Sequence, residues 1–401
     1  MTDGSHTSQR PRPGGVRAQP WWTKRRKRGA LAAVVAAGLA VGTTLTVANA
    51  QSRGPGDGVR QGLNRLVHDD GYPAALAATL GRDGRTHDYA AGVADVRTGA
   101  KAPVDGRVRA GSNTKPFTAT VVLQLVGEGK IDLAAPVEKY LPKLVRGEGI
   151  DGRRITVHQL LQHTSGLPDY TQFMEAPNGK GRHLYVQPRT MLDLALAHKA
   201  NFEPGKGWSY SNTNYLVAGL IVEKVTGRPL AEEIDHRVIR RAGLRHTYFP
   251  GAGDESIRGA HPEGYLAAKP GAKLENITKM DPSAAWAAGQ LISTPGDLNR
   301  FFSSLLGGKL LKPAQLAQMR TTVPAPGLWP GARYGLGLIS TPLSCGDGLM
   351  WGHGGDIPGY HTLAGATDTG RAATVATTAD GPPSERGPAN VQGVVERALC
   401  G

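Results

Sequence analysis

Ser112 stands three residues before Lys115, and no other serine in this 401-residue chain has a lysine at that spacing. A serine hydroxyl is a poor nucleophile until a neighbour takes its proton or lowers the cost of the alkoxide. Residues i and i+3 share a helix face, so the Lys115 amine can reach that hydroxyl. The segment Arg109-Ala110-Gly111-Ser112-Asn113-Thr114-Lys115-Pro116-Phe117-Thr118-Ala119 leads into Val121, Val122, Leu123, Leu125 and Val126, an apolar helical pattern. Proline is tolerated in a first turn and not in an interior, so Pro116 predicts a helix that begins close to Ser112. Unpaired N–H groups at such a helix start favour developing negative charge. By itself the pair is a weak signal. It is expected roughly once by chance in a chain of this length, and a helix cap followed by a surface lysine explains it more simply.

Two further clusters carry side chains suited to the same chemistry. Trp208-Ser209-Tyr210-Ser211-Asn212 holds the chain's single Tyr-x-Asn and runs into Tyr215, Leu216, Ala218, Gly219, Leu220 and Val222. A phenol and a carboxamide thus sit just before an apolar helix, where side chains can be aimed into a cleft. Trp351-Gly352-His353-Gly354-Gly355-Asp356 is followed by Gly359-Tyr360-His361. It reads as a strand lining a site, with glycines that admit a substrate backbone. Taken singly, Tyr210 reads as a packed aromatic and His353 as a structural histidine.

The order Ser-x-x-Lys, Tyr-x-Asn, His-x-Gly resembles the serine β-lactamase and penicillin-recognising family. The likeness is greatest to its class C and Streptomyces-type D-alanyl-D-alanine carboxypeptidase branch. It runs from about Gly71 onward through Leu160-Leu161-Gln162-His163-Thr164-Ser165-Gly166-Leu167, Pro204-Gly205, Gly243 to Pro250, Ala288 to Leu298, and Tyr334-Gly335-Leu336-Gly337-Leu338. The resemblance implies that Ser112 attacks a carbonyl and forms an acyl-enzyme. Lys115 and Tyr210 would manage its proton, with either as the base, and cationic neighbours would draw the phenol toward phenolate. Asn212 would orient substrate and Lys115. His353 takes a place that lysine holds in many relatives, which implies activity that changes between about pH 5 and 8. The oxyanion hole would use the backbone N–H groups of Ser112 and Asp356. Gly355, Asp356 and Trp286 join Asn212 as expected substrate-binding residues.

The chain also departs from that branch. An arginine often follows Tyr-Gly-Leu-Gly-Leu there, and hydroxyl residues around His-x-Gly grip a terminal carboxylate. Here those positions are Ile339, Gly354 and Asp356. Alternate strand residues face the same way, so an Asp356 aimed into the cleft would repel a substrate carboxylate. Arg333 is a candidate substitute for the missing guanidinium. Three readings follow: a carboxypeptidase-type peptidase on cell-wall peptides, an esterase or amidase/aminopeptidase-like hydrolase for neutral or cationic substrates, and a non-enzymatic wall- or ligand-binding relative. No cofactor is expected, since the twelve histidines show no His-x-x-x-His or Cys-rich metal spacing.

These side chains need a scaffold. A helix is predicted from Gly58 to His68. Strands at 76–80 and 89–93 turn at Arg82-Asp83-Gly84. Helical patterns fill residues 133–305, and loops at 171–189 and 251–282 flank the cleft. Strands are predicted at 334–340, 349–353, 360–367 and 372–379, before a final helix burying Val391, Val394, Val395, Ala398 and Leu399. Strands at both ends of a chain with helices between imply one sheet built from both termini. The fold class is α+β, and the resemblance specifies an antiparallel sheet flanked by helices beside an all-helical lobe, β-lactamase/transpeptidase-like.

The formal charge is +14, of which residues 1–50 and the remainder each contribute +7. That excess favours anionic surfaces such as wall polymers, or serves solubility alone. No zinc-finger spacing, arginine stripe or aromatic-basic interleaving points to nucleic acid. Lys24-Arg25-Arg26-Lys27-Arg28, an apolar run from Ala30 to Val47, and Ala48-Asn49-Ala50 read as a cleaved export signal. The alternative is an uncleaved membrane anchor. The expected organisation is residues 1–50 signal or anchor, 51–60 linker and 61–401 one two-lobed hydrolase domain, placed outside the cytoplasm. Export permits a disulfide, and relatives of the carboxypeptidase group imply one between Cys345 and Cys400, the only cysteines.

Overall fold

The computed structural model describes residues 56–401 apart from 175–179, 268–271, 347, 381–383 and 385. Residues 1–50, expected to be an export signal or anchor, therefore lie outside the described residues, as does the first half of the 51–60 linker. Helix α1 (Asp57–His68) is followed by β1 (Ala74–Leu80), β2 (Thr86–Asp95) and the short β3 (Ala100–Lys101). Helices α2 (Thr114–Gly127), α3 (Asn212–Thr226) and α4 (Pro295–Leu306) are the principal elements of the middle of the chain. Then come β4 (Val323–Pro324), β5 (Arg333–Tyr334), β6 (Ile339–Pro342), β7 (Leu349–Ile357), β8 (Tyr360–Thr367), β9 (Ala372–Thr377) and α5 (Gly387–Cys400).

One nine-stranded sheet runs β4-β5-β6-β7-β8-β9-β1-β2-β3. Strands from the two chain ends meet where β9 pairs antiparallel with β1, Thr374 opposite Ala78. The central strands are rich in alanine, so helices can approach both faces closely. On one face α1 and α5 pack on each other and on the sheet. Val59, Leu63 and Leu66 meet Val391, Val394, Val395 and Leu399 over Ala75, Ala77, Ala373 and Val375. The Cys345–Cys400 disulfide ties the end of α5 to the segment before β7. On the other face lies α4, whose Phe301 ring stacks on Phe117 of α2.

Helix α2 is buried from Thr114 through Leu125, polar positions included. A helix with no polar face belongs inside a protein, and α2 lies between the sheet and the helical lobe. It packs against α3 and the turn Trp286–Gly289.

Two expectations change. Residues 334–340 are not one strand. Gly335 to Leu338 leave the ladder because Leu336 N–H donates to the Met319 carbonyl (3.0 Å) and Gly337 N–H to that of Leu161 (3.2 Å). The His353 strand runs four residues further than predicted, to Ile357, pairing with β8 throughout. The flanking loops also meet. Arg182 pairs with Glu275 at 2.9 Å, His183 with Glu255 at 2.8 Å, and buried Arg109 donates to the carbonyls of Glu255, Thr278 and Met280.

Candidate active site

Ser112 sits on a single 3-10 turn, Gly111–Asn113, that runs directly into α2. This turn is pressed against β7 and β8. Gly111 has φ +52, and a Cβ on it would lie 2.9 Å from the Asp356 nitrogen. A Cβ on Gly355 would lie 2.0 Å from the Ala110 carbonyl oxygen. Both glycines are needed for the backbone at Ser112 to approach that at Asp356. Asn113 Nδ2 donates to Thr362 Oγ1 (2.8 Å), and that hydroxyl donates to the Ala110 carbonyl (3.1 Å), fastening the turn to β8.

Lys115 is fully buried. Its Nζ lies 2.8 Å from Ser112 Oγ, 2.8 Å from Asn212 Oδ1 and 3.0 Å from the Ala288 carbonyl. Burial lowers its pKa to about 7, although Asp169 and Asp356 oppose the shift. A neutral amine has two N–H groups and one lone pair. Asn212 Oδ1 and the Ala288 carbonyl can only accept, so they take both N–H groups and leave the lone pair facing the Ser112 hydroxyl.

Tyr210 precedes α3, and its phenol interacts with the Ser112 side chain, which works to lower its pKa. Its ring lies 4.4 Å from that of His163, and Lys115 Nζ lies 4.7 Å from its centroid. Burial is the largest influence on this phenol and raises its pKa well above the usual value. The expected drift toward phenolate is therefore reversed, because desolvation outweighs the Ser112 interaction and the Asp169 and Asp356 carboxylates push the same way as burial.

His353 also differs from expectation. Burial takes its pKa down to about 3. Nδ1 faces the Gly354 carbonyl at 2.5 Å, and Nε2 lies 3.0 Å from the Tyr334 hydroxyl. The carbonyl can only accept, so Nδ1 carries the proton and Nε2 accepts from Tyr334. The imidazole is satisfied while neutral and does not titrate between pH 5 and 8.

The structure gathers Ser112, Lys115, Tyr210, Asn212 and His353, with the backbone of Gly355 and Asp356 alongside. The Asp356 carboxylate is half-exposed and paired with His361 of β8. Trp286 is placed elsewhere: its indole packs over Gly219 of α3 and on the helical core, while its turn reaches the site through the Ala288 carbonyl. Arg333 is engaged by Thr322, whose hydroxyl and carbonyl accept from its guanidinium at 2.9 Å each.

Three site neighbours were not singled out from sequence. Tyr334 supports His353. His163, fully buried, accepts at Nδ1 from Ser211 N–H (3.2 Å) and Asn214 Nδ2 (3.1 Å) and floors the Tyr210 ring. Asp169 accepts from Asn212 Nδ2 at 3.0 Å. The signal for His163 was the run from Leu160 to Leu167 that contains it, and the signal for Tyr334 was the Tyr-Gly-Leu-Gly-Leu run it opens. Among the described residues, no three His, Cys, Asp or Glu side chains gather as a metal site would require.

Nucleophile, amine, phenol and sheet strand in this arrangement define a serine hydrolase. Residues 59–395 match the Beta-lactamase family, and the chain belongs to it. It resembles a D-stereospecific amidohydrolase from Streptomyces sp. (39% identity, 86% of this chain and 98% of that one, TM-score 0.78). It also resembles a D-amino acid amidase from Ochrobactrum anthropi SV3 (27% identity, 86% and 97%, TM-score 0.76). Among curated proteins, esterase EstB of Burkholderia gladioli is 34% identical over 44% of this chain and 46% of its own length. The chain spans less than two thirds of the first curated relatives it matches, 59% of one and 40% of another.

Proposed function

We propose that this chain is an amidohydrolase that forms an acyl-enzyme on Ser112 and prefers amides of D-amino acids whose α-ammonium is free. Neutral Lys115 takes the Ser112 proton as Oγ attacks the amide carbonyl. The oxyanion is held by the N–H groups of Ser112 and Asp356. Tyr210, kept protonated by burial, hands its proton to the departing amine and recovers one from Lys115. Water then releases the acid by the reverse sequence.

The observation that carries the substrate preference is the half-exposed carboxylate of Asp356, paired with His361, on the residue whose backbone meets the Ser112 turn. It attracts an ammonium and repels a carboxylate. D-stereochemistry is carried over from the amidohydrolase and amidase relatives. The carboxypeptidase-type alternative is less well supported, because Arg333, the candidate grip for a terminal carboxylate, is bound to Thr322.

The test compares a D-amino acid amide, its N-acetyl derivative, an N-acylated D-alanyl-D-alanine peptide and benzylpenicillin, with Ser112→Ala as control. The free amide should be consumed in a Ser112-dependent reaction. Acetylation should lower kcat/KM by roughly 10–100-fold, the loss of one charge-assisted contact. Faster turnover of the carboxylate-bearing peptide or of penicillin would replace the amidase reading with the carboxypeptidase one.

Export by residues 1–50 is part of the same proposal. The Cys345–Cys400 bridge supports it, since disulfides persist in oxidising compartments. N-terminal sequencing of the external protein should begin at Gln51, and a start well before it would favour the anchor.

A further inference from the structure

We infer that Asp169 is a positioning residue that aims the Lys115 lone pair at Ser112 by fixing which way the Asn212 amide points. This rests on the proposed Ser112 chemistry. Asp169 is buried directly after the Ser165-Gly166-Leu167 turn. Its Oδ1 accepts from Thr171 N–H at 3.2 Å and its Oδ2 from Asn212 Nδ2 at 3.0 Å. Burial raises the Asp169 pKa, and hydrogen bonds from Thr171 and Asn212 and the Lys115 charge oppose that rise. As the carboxylate it offers no donor, so only the amide nitrogen of Asn212 can face it. The Asn212 oxygen is thereby turned to Lys115, where it accepts at 2.8 Å.

With the amide reversed, an N–H would face the Lys115 amine and an oxygen would face the carboxylate. Both contacts would be lost, and the lone pair would no longer be directed to Ser112 Oγ. The relay Asp169–Asn212–Lys115–Ser112 thus sets a direction as well as a distance.

The charge acts on the same amine. The groups facing Lys115 are Ser112, Asn212 and the Ala288 carbonyl at its head, and the rings of Tyr210 and Tyr215. Asp169 and Asp356 act on it as the negative charges. His163 and His353 are both held neutral by burial. Asp169 is the buried one of the two carboxylates, so solvent screens it least. Removing its charge should lower the Lys115 pKa on the order of one unit.

Asp169→Asn tests this, because it keeps an acceptor for Asn212 yet adds a donor that permits the reversed amide. The acid limb of kcat/KM should move down on the order of one pH unit, while kcat above that limb falls roughly tenfold as the amide loses its single orientation. The exchange D169N/N212D sets the carboxylate directly against Lys115 and should move the limb above that of the wild type. It also serves if D169N does not fold. The Lys115 ¹³Cε resonance, identified by its loss in Lys115→Arg, reports the same shifts by NMR without substrate. That readout remains valid if D-amino acid amides prove not to be substrates. A limb and a resonance that stay at wild-type positions in the folded variants would overturn the inference and leave Asp169 as packing alone.

Discussion

Adding one methyl group at Gly355 should disable the site while leaving the protein folded. The new Cβ would stand 2.0 Å from the Ala110 carbonyl oxygen and 2.6 Å from Thr362 Oγ1, where such contacts essentially never fall below 3.0 Å. The Thr362 hydroxyl can rotate away. The Ala110 carbonyl is backbone, fixed on the far side by the Ala110 N–H bond to Leu291 (2.8 Å). Strand β7 must therefore retreat about 1 Å from the Ser112 turn, and the Asp356 N–H retreats with it. Misplacing a catalytic group by about that much costs roughly 100-fold, similar to losing one oxyanion donor, at 100- to 1,000-fold. Gly355→Ala should thus lower the acylation rate on a chromogenic ester by at least about 100-fold. Overpacking should lower stability by only about 1–3 kcal/mol. Gly354→Ala is the control, since its added Cβ meets nothing nearer than 3.8 Å. Stopped-flow acylation of both variants, with thermal melts, decides the matter. If Gly355→Ala acylates as fast as Gly354→Ala, the backbone approach between Ser112 and Asp356 is not what supports the chemistry.

Two other consequences can be measured directly. Activity should rise with pH through about 7, because Lys115 becomes the neutral base as it loses its proton there. His353→Gln should keep that limb in place, since His353, with its pKa lowered to about 3, is already neutral; a pH–rate profile in which the limb disappears would return the titration to His353. The Cys345–Cys400 bridge closes a separation of 55 residues, so Cys400→Ser should lower stability by about 2–4 kcal/mol. Because α5 lies across the sheet from α2, turnover at 25 °C should survive, and a loss of turnover matched to the loss of the bridge would show that α5 also holds the site.

The sequence by itself brought forward the candidate reacting side chains. Ser112, Lys115, Tyr210, Asn212 and His353 each lie in a short motif that is read locally, and the order of motifs carries the family. It also determined the sheet in outline, since strands with turn residues between them appear at both chain ends. The hairpin at 82–84, the final helix and the cysteine pairing follow from local pattern or from the resemblance. What it could not determine depends on residues distant along the chain. The break at Gly335–Leu338 follows from hydrogen bonds to Met319 and Leu161, partners no local window contains. The placement of Trp286 depends on the small residue opposite it, Gly219.

Protonation states were legible only in the folded protein. A lysine, a tyrosine and a histidine were expected to share charge between them, with phenolate and imidazolium as candidates. Burial acts on all three in one direction, toward the neutral form: it lowers Lys115 and His353 and raises Tyr210. Desolvation is a property of the whole surrounding volume, which the sheet, α2 and α3 enclose together. Residue types therefore specified which groups could react, and tertiary burial decided which of them holds the proton.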